Sequence, residues 1–103
     1  MRQDIRNKLI QVARKGEVIF YLELGIGRGQ AAGKILGEIC EYEYSQERPL
    51  LSAIVVNKAT GMPSEGFWGL SAIPRNLTDR QRPVFWAKEL VKVINYWQSH
   101  PNS

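Results

Sequence analysis

Gly16-Glu-Val-Ile-Phe-Tyr-Leu-Glu-Leu24, then Gly25-Ile-Gly-Arg-Gly-Gln30, then Ala31-Ala-Gly-Lys-Ile-Leu-Gly-Glu-Ile-Cys40 is the stretch whose reading decides the fold. An apolar, β-branched run meets a cluster of glycines, and the cluster opens into a helical pattern. Val18-Ile19-Phe20-Tyr21 fits a buried strand or the hydrophobic lead-in to a helix, and pattern alone does not separate the two. Leu22-Glu23-Leu24 leaves room for one helical turn before Gly25. The alternating Gly25, Gly27 and Gly29 are poor material for helix or strand and suit a loop with positive φ values. From Gln30, the apolar positions Ala32, Ile35, Leu36, Ile39 and Cys40 recur at the spacing of one helical face.

A strand, glycines and a helix invite a phosphate-loop reading, but the spacing rejects it. The dinucleotide fingerprint needs glycine where Gln30 stands. A P-loop needs glycine in place of Arg28 and Ser or Thr in place of Ile35. On the far face of the helix, Gly33 and Gly37 each cost about 1 kcal/mol relative to alanine. They imply a close approach to the backbone by nucleic acid, another helix or a strand of the same core.

Upstream, Ile5, Leu9, Val12 and Ala13 give an amphipathic helix that Gly16 stops, with Arg14 and Lys15 in its last turn complementing the helix dipole. Downstream, Glu41 to Pro49 reads as a polar, acidic, solvated connection. Leu50-Leu-Ser-Ala-Ile-Val-Val56 reads as a strand buried on both faces. Asn57 to Gly66 supplies a turn carrying Lys58, and Phe67-Trp68-Gly69-Leu70 reads as the returning strand of a hairpin. Thr78-Asp-Arg-Gln81 matches a capping box, with Pro83 in the first turn behind it. Trp86, Leu90, Val93, Ile94 and Trp97 line one face of the C-terminal helix, and residues 98–103 are expected to fray.

The 103 residues amount to one domain. No apolar run reaches the roughly 20 residues of a membrane span, and the N-terminus does not open a signal peptide, so a cytoplasmic protein is expected. One cysteine and one histidine exclude an internal disulfide and a Cys/His zinc site, and no cofactor is expected. Cys40 belongs to the apolar face of its helix. The net charge of +4 resolves into +4 over residues 2–34, −3 over 35–66 and +3 over 67–103. That division gives basic ends and an acidic middle, as two different surfaces would.

The element order of helix, short apolar run, one turn, glycine loop, helix, strand, hairpin, strand and helix is that of an α+β, winged-helix-like domain. It predicts three helices plus a small antiparallel hairpin sheet, followed by a C-terminal helix. Gly16-Glu-Val-Ile-Phe-Tyr21, Ala32-Gly-Lys-Ile-Leu36 and Pro49 leading into Ile54-Val-Val-Asn57 resemble the DNA-binding domain of methylated-DNA alkyltransferases and alkyltransferase-like proteins. The resemblance covers about residues 5–70. It implies a helix-turn-helix frame with Tyr21 at the DNA, where the family uses a tyrosine to help rotate a nucleotide. Gln30 stands where the family has its finger arginine. Pro49-Leu50-Leu51-Ser52 stands where the family has Pro-Cys-His-Arg. The alkyl-accepting thiolate and its activating histidine are therefore absent, and alkyl transfer is excluded. Pro49 to Val56 and Gly61-Met-Pro-Ser-Glu-Gly-Phe-Trp68 also resemble small bacterial proteins, a likeness that implies no activity.

The expectation is a non-catalytic nucleic-acid-binding protein, with double-stranded DNA as the partner. Its helix would enter the major groove N-terminus first with Arg28, Gln30 and Lys34 nearest the DNA and Tyr21, Arg14 and Lys15 flanking, and Lys58 on the tip of the hairpin as a lightly charged wing. The alternative is a protein-interaction or regulatory module using an acidic Glu38–Glu47 surface. No catalytic residue and no metal ligand is expected.

Overall fold

A computed structural model describes residues 1–27 and 29–101. Helix α1, Gln3–Arg14, buries Ile5, Leu9, Ile10 and Ala13 as one stripe. It ends at Gly16, whose φ of 70° is left-handed; a Cβ there would also stand 3.4 Å from Gln98 Nε2. The chain then runs through strand β1, Ile19–Phe20, straight into a one-turn helix α2, Tyr21–Leu24. Both readings of the Val18–Tyr21 run are thus realised in succession. Gly25, Gly27 and Gly29 all take positive φ, at 66°, 81° and 63°, and turn the chain into helix α3, Gly29–Ser45.

Helix α3 is longer than its apolar pattern indicates, because Glu43 sits in the core. Its carboxylate is fully buried and holds two guanidinium groups, Arg6 at 2.9 Å and Arg48 at 2.8 Å. The ring of Tyr42 lies under both, 5.4 Å from each guanidinium carbon. The sequence reading placed Glu41–Glu47 in solvent. That is corrected here for Glu43: with both carboxylate oxygens in charge-assisted hydrogen bonds, its burial is compensated, and the helix extends over it.

The expected antiparallel hairpin does not form. Leu50 to Val56 is buried throughout, but Leu51–Ile54 is a 3₁₀ turn, and only Val55–Val56 is a strand, β2. Strand β2 pairs parallel with β1 in the register Ile19–Val55 and Phe20–Val56. Phe67 and Trp68, expected on a returning strand, lie in a one-turn helix α4, Glu65–Trp68. The physical reason is where the backbone of the buried segment finds its partners. Leu50 N–H donates to Glu89 Oε2 at 2.8 Å, Ser52 N–H to Cys40 Sγ at 3.2 Å, and Ala53 O accepts from Trp86 Nε1 at 2.8 Å. Side chains of two helices thus do the work of a neighbouring strand. The described residues are therefore α+β and mostly helical, with a two-stranded parallel sheet.

Helix α5, Gln81–Ser99, closes the core with Val93 and Trp97. Its capping box is reciprocal: Gln81 N–H donates to Thr78 Oγ1 at 3.2 Å and Thr78 N–H to Gln81 Oε1 at 2.9 Å. Helix α5 runs to Ser99, and of the tail expected to fray, residues 102 and 103 lie outside the described residues. At the end of the helix Gln98 Nε2 donates to Arg14 O and Arg14 donates to His100 O. Among the described residues no helix is long and apolar enough to cross a membrane.

Cys40 packs as the sequence pattern places it, fully buried, with Sγ donating to Ser52 Oγ at 2.9 Å. Burial pushes its thiol up to about 11, and its hydrogen bonds with Ser52 offset only part of that. Below about pH 9 the folded and unfolded chains both keep this proton. Above it the unfolded chain releases the proton while the native one holds it, so stability falls as pH rises. The loss is about 1.4 kcal/mol per pH unit until the native thiol also ionises. Denaturant titrations from pH 8 to 11 should show this fall in wild type and lack that component in Cys40→Ala.

A second measurement addresses Glu43. Glu43→Ala strands two guanidinium groups and should lose about 3–5 kcal/mol in a urea titration. Replacing Arg6, Glu43 and Arg48 together by methionine or leucine should cost less than that single change.

Candidate functional site

Because β1 and β2 run parallel and in register, both strands end at the same edge of the sheet. The next residues, Tyr21 and Asn57, leave that edge side by side. From β1 the chain enters α2 and the glycine turn, and from β2 it enters the turn over 57–61, closed by Gly61 N–H donating to Asn57 O at 2.8 Å. Between these two departures and the first turns of α3 lies an open cleft of about 890 Å³. Its walls are mostly apolar.

Phe20, Tyr21, Leu22 and Ala32 supply the apolar wall, and Gly29 and Gly33 leave helix α3 bare on the cleft side. A Cβ on Gly33 would meet nothing within 4 Å, while one on Gly66 would come 3.9 Å from the Gly33 Cα. Helix α4 thus meets Gly33 only at ordinary van der Waals distance, no neighbour among the described residues requires glycine at 33, and its Cβ side is left open. Gly37, one turn on, faces Leu70.

Tyr21 is half-buried, and its phenol is fixed. Tyr21 Oη shares a hydrogen bond with Ser64 Oγ at 2.9 Å and accepts from Ser64 N–H at 3.1 Å. Ser64 precedes helix α4 in an extended conformation, so the contact ties the start of that helix to α2. Polar groups on the cleft come from Gln30, Asn57, Lys58 and Thr60. Glu23 and Glu65 also line it, and Glu65 is paired with Arg82 at 3.2 Å. Arg82 in turn lies 5.1 Å over the ring of Trp68, which packs edge-on against Phe67 and Phe85. Trp68 is therefore half-buried against the core and not a free stacking platform.

Of the residues expected to contact nucleic acid, Tyr21, Gln30 and Lys58 line this one cleft. Lys34 is exposed one helical turn beyond Gln30, on the same side of α3. Arg14 and Lys15 close the C-terminal turn of α1 and do not line the cleft; Arg14 lies against α5, its guanidinium 6.0 Å from the Trp97 ring. Arg28 lies outside the described residues.

The sequence reading missed Ser64, Gly66 and Asn57. Pro63-Ser64-Glu65 is a helix-start signal, with a serine at the cap and an acidic residue in the first turn, that the turn reading of 57–66 concealed. The acidic surface expected over Glu38–Glu47 is thinner than its sequence: Glu43 is buried, Glu38 pairs with the Met1 ammonium at 3.1 Å, and Glu41 accepts from Ser71.

Among the described residues that line the cleft, no hydrogen bond pairs a nucleophile with a base. Cys40 is buried elsewhere with its thiol raised, and Ser52 is committed to it. Among the described residues no three His, Cys, Asp or Glu side chains gather as ligands for a metal ion. What the arrangement offers is a shaped apolar recess with an aromatic wall, amide and hydroxyl groups at its edges and lysines beside it. No family model, no curated protein and no solved structure matches the chain.

Proposed function

We propose that this protein is a non-catalytic nucleic-acid-binding protein whose ligand is double-stranded DNA. Helix α2, the glycine turn and helix α3 act as a helix-turn-helix within a winged-helix-like frame, and the turn after β2 lies where a wing would be. The carrying observation is that Tyr21, Gln30 and Lys58, which come from three separate segments of the chain, line one open cleft at the N-terminal end of α3, with Lys34 a turn away. The net charge of +4 and the resemblance of Gly16–Tyr21 to the alkyltransferase DNA-binding domain support the same reading. Phosphates would meet Arg28, Lys34 and Lys58, while Gln30 and Tyr21 face bases. A cytoplasmic location goes with it.

A second reading, a protein-interaction module, is favoured by one observation. Tyr42 and Tyr44, on the C-terminal half of α3, are 40% and 53% exposed, beside the half-buried Arg48. Tyrosine and arginine are enriched where proteins meet.

Duplex affinity measured by fluorescence anisotropy separates the two. With about three phosphates neutralised, binding should weaken roughly 40-fold between about 50 and 200 mM salt. Arg28→Glu with Lys34→Glu should weaken it at least about tenfold at low salt, while Tyr42→Ala with Tyr44→Ala should leave it unchanged. Affinity that is flat with salt, or that survives the double charge reversal, defeats the DNA reading.

A further inference from the structure

A second, smaller space of about 10 Å³ adjoins the cleft and is lined by Leu36, Ser52, Phe67 and Leu70. At that size it holds at most one water. The two spaces share a partition made of Tyr21, Gly33, Ser64 and Gly66. Two of these are glycines, so the side chains that separate the cleft from the void are the Tyr21 phenol and the Ser64 hydroxyl, hydrogen-bonded to each other. Tyr21 is the first residue of a helix of one turn, bounded by an extended Phe20 and a left-handed Gly25. Of the four residues in that turn only Leu24 is buried, and Leu22 is 65% exposed. So short and solvated an element opens at little cost.

We propose that the cleft and the void are one binding pocket divided by a Tyr21–Ser64 latch, which opens to admit an uncharged, flat, largely apolar group with a hydrogen-bonding edge. This rests on the cleft being the protein's binding site, but not on the ligand being DNA. The shape of the guest follows from what the ring leaves. The phenol lines both spaces, and Leu36, Phe67 and Leu70 line the smaller one, so outward rotation of the phenol would join the two. The same motion frees Ser64 N–H and Oγ, which then need a partner. The inner lining contains no acidic or basic side chain, so an ionised guest would lose its hydration with nothing in return.

Indole tests this, with indole-3-carboxylate as its ionised counterpart, both titrated calorimetrically into wild type, Tyr21→Phe and Gly33→Leu. Phenylalanine keeps the ring and removes the latch, so Tyr21→Phe should bind indole about fivefold or more tightly than wild type. Leucine at 33 is a better helix former than glycine, meets no neighbour at its Cβ, and would project from a position that lines both spaces. Gly33→Leu should keep its circular dichroism melt and lose indole binding. The carboxylate should bind at least tenfold more weakly than indole. Equal indole affinity in wild type and Tyr21→Phe, undiminished binding in Gly33→Leu, or no binding to either of the first two at millimolar indole overturns the latch. Duplex titration of the same variants keeps the readings apart: failure to bind DNA with the indole pattern intact removes only the nucleic-acid reading.

Discussion

The segment Leu50–Val56 runs through the middle of the molecule, and its backbone polar groups must be satisfied without water. A central strand would solve this with two neighbours; here one edge of β2 meets β1, and the preceding 3₁₀ turn is served by Glu89, Cys40 and Trp86. Each of these side chains belongs to a long helix, α3 or α5. Satisfying the segment therefore fixes where both helices stand. The same requirement accounts for polar side chains inside an apolar core: Glu89 is 8% exposed and Ser52 4%. They remain because a lost partner for a buried N–H costs more than the burial of a well-bonded side chain.

Placement of the cleft follows from that pairing. In an antiparallel hairpin the residue after one strand lies beside the residue before the other. Parallel pairing of Phe20 with Val56 sends Tyr21 and Asn57 off the same edge instead. The glycine turn then carries α3 back so that its first residues, Gly29 and Gln30, border the same space, and Gly33 and Gly66 line it without side chains. The recess is what remains when two strand ends and two helices converge on positions that have no Cβ. Its openness is built into the covalent chain and would not close by rotamer changes alone.

How much of this was legible depends on whether a local pattern has one physical meaning. Ile5–Ala13 and Trp86–Trp97 have a helical period and no other reading, and Thr78 with Gln81 has a reciprocal bond to form, so those elements stood plainly in the sequence. Positive φ at Gly25, Gly27 and Gly29 was equally plain. Leu50–Val56 shows only that it is buried, because a continuous apolar run suits a two-sided strand or a 3₁₀ turn equally well. The deciding partners, Cys40 and Glu89, lie 12 and 39 residues away in sequence from the groups they bond. Glu43 misled for the same reason, since Arg6 is 37 residues upstream. For the site, Tyr21, Gln30 and Lys58 could be named singly, but Ser64 becomes visible only when a tertiary contact brings its N–H and hydroxyl to Tyr21.

The segment Pro49-Leu50-Leu51-Ser52 is built into the core, and none of its last three residues is more than 4% exposed. A reactive thiolate needs a polar, partly open neighbourhood and a base to hold its charge. Leu50 and Leu51 instead contribute apolar area at the point where α1, α3 and α5 converge on the 3₁₀ turn, and Ser52 spends its hydroxyl on Cys40. These positions carry the core, so a nucleophile could not be placed at Leu50 without unpacking the centre of the fold. The rim of the cleft is built separately, from the strand ends, the glycine turn and Tyr21, whose positions depend on backbone placement and not on a titrating group. The cleft and the 50–52 segment thus rest on separate parts of the structure, since none of Leu50, Leu51 and Ser52 lines the cleft.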